Sequence, residues 1–506
     1  MGLETELKRP VDTRKRSPSR AIFFLLLVLA GSAHAAGPAW LGGTYDTVLS
    51  EEWMNVLFNG KKIGFSYNRI EKGDKGYRIT GRAVMRLSIM GMTQDMSFSQ
   101  TFYLDAGKNV LGFISLKNMG SQRMQTVGSV HGDRIELAVT GAGGTNRSEV
   151  RIKPGTRFLE ALGFQMADEL SVGMKKSFPV YIIELRASDT ITMEVVGRKT
   201  VETGGEKKEA FVVDFRLQGF TTRSYVTPDG VTVREEEGML GITSRRVTEA
   251  EALAFPSGAV PVTSLITFSL VKPDRPIRKD PATLRKLRIM IGGLDDPSAL
   301  PSDERQLKES AVWREDASGR RRLYIPLVTL KTPPPEKTLT ISEASRAEPG
   351  SLNPTPEAQS DNKMIIREAR RIIGGEKNSW KAAQRINRWV YDNVEKDLVD
   401  SFSAVDVLLS RKGECQSHTN LFTALARSVG IPTRTAAGLV YSATSEGFLY
   451  HAWPEVYVGR WVAVDPTMGQ DVADVTHIKL SEGELEDQIK LVRFIGRISV
   501  LIVSSE

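Results

Sequence analysis

In 506 residues there is one cysteine, Cys415. No disulfide can close within the chain, so a cysteine-stapled scaffold is excluded, and the CxxC patterns of redox and zinc sites are excluded with it. Histidine is scarce, at five, and neither HExxH nor any comparable ligand spacing occurs, so no metal and no cofactor is expected. Outside one short N-terminal stretch no run approaches the ~18 apolar residues of a membrane-spanning helix. Basic residues outnumber acidic ones only 68 to 61, for a net charge of +7. Without a Lys/Arg block interleaved with aromatics, nucleic acid is not an expected partner. No self-similarity marks a repeat architecture.

The exceptional apolar run, "AIFFLLLVLAGSAHA", follows the Arg-rich "KRPVDTRKRSPSR" and ends in Ala33-His34-Ala35. Basic segment, apolar segment and small-residue exit predict a secretory signal over residues 1–35, with cleavage before Ala36 and a periplasmic or secreted location. Cysteine is missing just after the apolar run, which argues against a lipoprotein. The signal holds a net +3, leaving about +4 for the mature chain, and the full chain's 41% apolar and 25% charged content is that of a soluble globular protein. Export sharpens the meaning of Cys415. In an oxidising compartment an unpaired cysteine is a reactive thiol, an intermolecular bridge, or a small buried apolar residue.

A chain of this length calls for about two to four domains. Residues 41–255 read as β-rich: Asn59-Gly60 sits between apolar runs as a hairpin signal, and "MSFSQTFYLD", "KKSFPVYIIEL" and "AFVVDFRL" continue as short strands. Residues 256–331 read as a small linking region or subdomain ending in the strand "RRRLYIPLVTL", and residues 332–361, with three consecutive prolines, as an extended linker. Two helices then open the segment 362–506. Asp361 is placed to cap the first, and Asn378 or Ser379 the second, whose Trp380, Ala383, Ile386, Val390 and Val394 form one apolar stripe. Helices joined to a separate block of strands make the fold class α+β.

After Gly413 the apolar residues Leu421, Phe422, Leu425 and Val429 recur at helical spacing, and Gly430 with Pro432 ends the helix. Cys415 therefore falls in the first turn, where unpaired N–H groups and the helix dipole are expected to depress a thiol pKa. The strands "TRTAAGLVYS", "FLYHAWPEVYV" and "RWVAVDP" follow, with His451, Trp453, Glu455 and Tyr457 alternating onto one face. A thiol nucleophile needs a base, and the base an orienting carboxylate; His451 and Asp465 are the candidates. A two-residue turn would put those two on opposite faces, whereas a three-residue loop or a bulge would bring them together. Pro454, which cannot donate to a ladder, argues for an edge or a bulge. His418 and His477 read as structural histidines, Glu455 as a solvated or paired carboxylate, and Trp453 as either a cleft wall or a core aromatic.

"GECQSHTNLFTALARSVGIPTR" and "YHAWPEVYVGRWVAVDPT", in that order, resemble the transglutaminase-like superfamily over about residues 360–482, and "MGQDVADVTHIKLSEG" carries the resemblance beyond Asp465. The resemblance implies a papain-like core at the C-terminus, with Cys415 as nucleophile, His451 as general base and Asp465 as orienting acid. It also implies amide chemistry through a thioester. Two departures stand out: Pro454 replaces a polar or β-branched residue, and no glutamine precedes Cys415 where papain-type enzymes supply an oxyanion donor. The backbone N–H of Cys415 and a second donor would have to serve. Hydrolysis of peptide or protein amides is favoured, because no motif announces an amine-binding site. Transamidation is the alternative, and a non-catalytic protein binding a cell-envelope component through the β-rich region is the second.

Overall fold

The computed structural model describes residues 38–506 apart from 90–91, 120–121, 142–143, 167–168, 204, 218–219, 229, 238–240, 255–259, 262–269, 295–297, 299, 316–320, 398–402 and 484–495. The expected signal at 1–35 lies outside the described residues. Met1–Gly42 and Gly43–Glu506 separate as two units; the described part of the first holds one short 3-10 turn, Ala39–Leu41.

Asn59 and Gly60 both take positive φ, 48° and 77°. That is the turn which reverses strand Tyr45–Phe58 into Lys61–Gly73 with the right-handed twist of a hairpin. From there strands pair antiparallel with their sequence neighbours out to Gly144–Arg151. On the other side of Tyr45–Phe58 lies Ile242–Val247, and the order runs back to Lys175–Ile182 and a parallel Arg157–Phe158; Val260–Pro261, paired off this path with Gly76–Ile89, makes the sheet one of 16 strands. Burial alternates along its strands, as in Arg134–Gly141, so one face is apolar. The sheet curls to cover that face: Phe158, from its far end, packs on Phe102 and Phe113 at 6.2 and 5.7 Å between ring centroids.

The segment read as a linking region is built into a second sheet. Strand Lys286–Gly292 lies between Arg321–Leu330 and the C-terminal strand Ser499–Ser505, both antiparallel. Leu287, Ile289, Ile291, Ile325 and Leu327 share one apolar core with Leu439, Phe448, Ile478 and Val500. The Pro-rich segment is not extended throughout. Thr340 and Glu343 form a reciprocal capping box and start a helix, Ile341–Ala347, that buries Ala344.

Four helices and a four-stranded sheet carry the candidate chemistry. Helix α1 (Lys363–Ile373) is capped by Asn362, which accepts from Met364 N, and not by Asp361. Helix α2 (Ser379–Asn393) is capped by Asn378 and buries Ala383, Ile386 and Val390, with Trp380 half-buried beside them. Helix α3 (Ala404–Ser410) precedes α4 (Cys415–Ser428), whose Leu421, Phe422 and Leu425 are fully buried in the same core. The sheet orders its strands β3 (Trp461–Ala463), β2 (Gly447–Tyr457), β1 (Thr433–Ser442), β4 (Ile478–Glu482). No helix among the described residues is long and apolar enough to cross a membrane.

Candidate active site

Hairpin geometry decides whether His451 meets Asp465. Tyr457 pairs with Trp461, so Val458, Gly459 and Arg460 form a three-residue loop, with Gly459 at φ +111°. That register carries Asp465 opposite Trp453, one diagonal step from His451. The strand β2 is neither an edge nor bulged against β1. It tolerates Pro454 because its carbonyl, which accepts from Val464 N, points to the side where β3 has already ended at Ala463, and the missing donor falls on that same side.

His451 Nε2 lies 2.8 Å from Asp465 Oδ2, with both side chains buried. With Nε2–H donating to the carboxylate, Nδ1 is the nitrogen that can accept a proton. Asp465 is held from three further directions. Thr467 N and Met468 N donate to its Oδ1 at 2.7 and 3.0 Å, and His477 Nε2 donates to Oδ2 at 3.0 Å. Burial alone would raise this carboxyl, but the two imidazoles outweigh it and keep Asp465 well below the usual carboxylate range.

Cys415 is the first residue of α4, as its position in the sequence predicts; the residue as a whole is half-buried, with its thiol turned inward. The helix docks onto β2 through Ala452: Thr419, one turn on from Cys415, donates to Ala452 O at 3.1 Å, and the Ala452 N–H favours the ionised form of the thiol. The thiol is thereby held against the residue that follows His451. No hydrogen bond from the Cys415 N–H is made among the described residues, which leaves that donor available to a substrate oxygen.

The expected depression of the thiol pKa is overturned. Burial pushes the Cys415 thiol well above its usual value, and the Glu414 carboxylate, 3.2 Å from Sγ, pushes it the same way; only the Ala452 N–H opposes. The helix terminus cannot supply the expected help because Glu414 is its N-cap and takes the N–H groups of Gln416 and Ser417 at 2.8 and 3.0 Å. At rest Cys415 is a thiol.

His477 was read from sequence as structural, yet it belongs to this constellation. It bridges two carboxylates, donating to Asp465 from Nε2 and to Asp474 from Nδ1 at 3.3 Å, and together they raise it to about 9 against the opposing effect of burial. It is thus an imidazolium at neutral pH. The loop carrying it is gripped by the second sheet: Arg305 donates to His477 O and Asp474 O at 2.6 and 2.5 Å, and Gln306 exchanges hydrogen bonds with the Lys479 backbone. Asp474-x-Thr476-His477 was the available signal, since Asp474 also accepts from Thr476 N and Oγ1. His418 is structural as expected, its two nitrogens facing Glu414 O and Val394 O. Glu455 is a paired carboxylate, bound to Lys479 and Arg434. Trp453 is both core and wall: fully buried, it stacks on His451 and meets His477 edge-on.

Two clusters have the proximity of metal ligands, His451–Asp465–His477 and Asp303–Glu455–Glu482. In the first, both Nε2 atoms already hydrogen-bond the shared carboxylate and His477 keeps its proton, so the donors fit a proton network better than a cation. In the second, the Lys479 ammonium fills the centre.

Residues 367–466 match the family model of the transglutaminase-like superfamily. The match ends one residue after Asp465, so the expected resemblance across Met468–Gly483 is not part of it. Over 112 residues the chain is 30% identical to the mouse kyphoscoliosis peptidase and 29% to the human one, covering 18% of this chain and 16% of each relative. It is 26% identical over 214 residues to an uncharacterized protein of Haemophilus influenzae, 34% of this chain and 54% of the relative. The chain thus spans about a sixth to a half of the curated relatives it matches. Among solved structures, a candidate cysteine protease from Cytophaga hutchinsonii covers 44% of this chain and 85% of its own at 19% identity and a TM-score of 0.28. A β-barrel-like protein from Brucella abortus covers 39% and 95% at 10% identity and a TM-score of 0.31. The chain therefore carries a transglutaminase-like domain, and Cys415, His451 and Asp465 all lie within its matched residues.

Proposed function

We propose that the protein is an exported thiol enzyme that hydrolyses peptide or protein amides through Cys415, His451 and Asp465. The observation that carries this reading is the join between α4 and β2, where Thr419, one turn on from Cys415, donates to Ala452 O while the neighbouring His451 is oriented by Asp465. His451 Nδ1 takes the Cys415 proton as sulfur attacks the amide carbonyl. The oxyanion receives the Cys415 N–H, and His451 returns the proton to the leaving amine. A thioester remains, and water, deprotonated by His451, resolves it to acid and regenerated thiol. Because Cys415 rests as a thiol, proton transfer is coupled to substrate arrival; a bound amide that displaces Glu414 from Sγ removes the charge that opposes the thiolate. His477, fixed in its protonated form, keeps Asp465 ionised and its geometry rigid.

Turnover of a peptide library by wild type, Cys415→Ala and His451→Ala tests the reading. Release of new amino termini is expected from wild type alone. Activity that survives Cys415→Ala overturns the mechanism, and Cys415-dependent incorporation of a labelled amine without hydrolysis replaces it by transamidation. The reading of residues 1–35 as a secretory signal is tested by fractionating cells that express the full chain, and recovery of the processed form in the cytoplasm would overturn it.

A further inference from the structure

The curled sheet of the N-terminal region lines a partly open cavity of about 520 Å³, within the size range of small-molecule sites. Its roof is the turn Leu159–Ala161 and the following helix Leu162–Met166. Its floor is sheet: Ile191, Met193, Val213 and Phe215 line it from below. The lining is apolar except for a few carboxyl and hydroxyl groups. Among them, the Glu160 carboxyl lies against Glu184 and the Ile183 backbone but its Oε2 is buried with no hydrogen-bond partner among the described residues, and Glu235 accepts from Ser224 Oγ at 3.1 Å. A buried carboxyl with an unused oxygen is costly and is rarely left so without reason. Here that oxygen stands in a largely apolar chamber, with the half-buried Glu235 on the same lining, far in sequence from Cys415.

We propose that this cavity binds a single-chain amphiphile, its alkyl chain lying along Met193 and Phe215 and its hydrogen-bond-donor head group received by Glu160 and Glu235. The apolar lining excludes a sugar or nucleotide, and no Lys, Arg or His lines the chamber among the described residues to meet an anionic head. Burial raises both acids, and the neighbouring Glu184 raises Glu160 further; a donor head group supplies the hydrogen bond that the buried Glu160 Oε2 lacks. The cavity is independent of the thiol chemistry, and the two readings stand or fall separately.

The test uses the full chain and the fluorescence of N-phenyl-1-naphthylamine, which rises in an apolar site. Saturable binding by wild type is expected, with loss in Met193→Trp, which fills the chamber. Competition by 1-monolauroylglycerol (hydroxyl head) or dodecylamine (ammonium head) is expected to be at least about tenfold tighter than by laurate, and which of the first two is tighter identifies the donor. Glu160→Met keeps the volume and removes the acceptor: it should bind the dye as wild type does, lose about tenfold for the donor-headed competitor, and melt at a higher temperature. Absence of saturable dye binding, equal competition by laurate, or an unchanged competitor in Glu160→Met each overturns the proposal. If Met193→Trp does not fold cooperatively, the Glu160→Met comparison decides alone.

Discussion

Beside Cys415, the Glu414 carboxylate both caps the helix and opposes ionisation of the thiol. A carboxylate before a helix is visible as a cap; its second oxygen folding back to 3.2 Å from Sγ is a matter of rotamer. The consequence is measurable. Alkylation of Cys415 by iodoacetamide is expected to accelerate only at alkaline pH, and Glu414→Gln, which keeps an acceptor for the cap but removes the charge, should move that midpoint downward. An unmoved midpoint would mean that burial alone sets the thiol. His477 offers a second test. It titrates near 6.5 when unfolded and at about 9 when folded, so its contribution to stability is whole below about pH 6.5 and lost as pH rises through 9. The gap between those values corresponds to about 3 kcal/mol. The stability difference between wild type and His477→Gln should therefore narrow by about that amount from pH 6 to pH 10 in urea titrations. A pH-independent difference would show that the histidine is neutral in the fold.

At the scale of elements, much of the site was legible because each part is local. The helix start at Cys415, the strand of His451 and the three-residue hairpin each follow from a few consecutive residues and the period of their side chains. What lay beyond such reasoning was the fourth strand of that sheet. Strand β4 approaches β1 at Gly438, where the pairing shifts register and a Cβ would stand 1.9 Å from Ile478 O. Glycine is required there by the neighbouring backbone and not by its own φ. Gly438→Ala should push β4 outward, with His477 immediately before it, at a cost of about 1–3 kcal/mol for the overpacking. Peptide turnover is then expected to fall several-fold while Cys415, anchored on the other side through Ala452, alkylates as in wild type. An equal loss in both would locate the damage in the whole sheet instead of in the His477 loop.

The whole molecule explains why boundaries drawn from composition did not follow the folding units. Proline and polar residues mark 332–361 as a linker, but the chain on either side of it is one structure: the segment before supplies Lys286–Gly292 and Arg321–Leu330, and the last residues return as Ser499–Ser505 to pair with the former. Such long-range pairing leaves no local trace, because each strand alone reads as an ordinary apolar run. The interface is also chemical. Arg305, buried and held below its usual value by desolvation, spends its hydrogen bonds on the carbonyls of Asp474 and His477, while Thr329 accepts the task of holding Val475 O at 2.5 Å. A fragment cut at the composition boundary, residues 362–506, would expose the buried faces of Leu439, Phe448, Ile478, Val500 and Ile502 that Leu287, Ile289 and Ile325 cover. It would also leave the His477 loop without its partners. The fragment 271–506 retains both. Cooperative thermal unfolding and near-ultraviolet circular dichroism are expected from 271–506 and not from 362–506, with Cys415-dependent turnover following the same division. A folded, active 362–506 would mean that the second sheet only accompanies the transglutaminase-like domain and does not complete it.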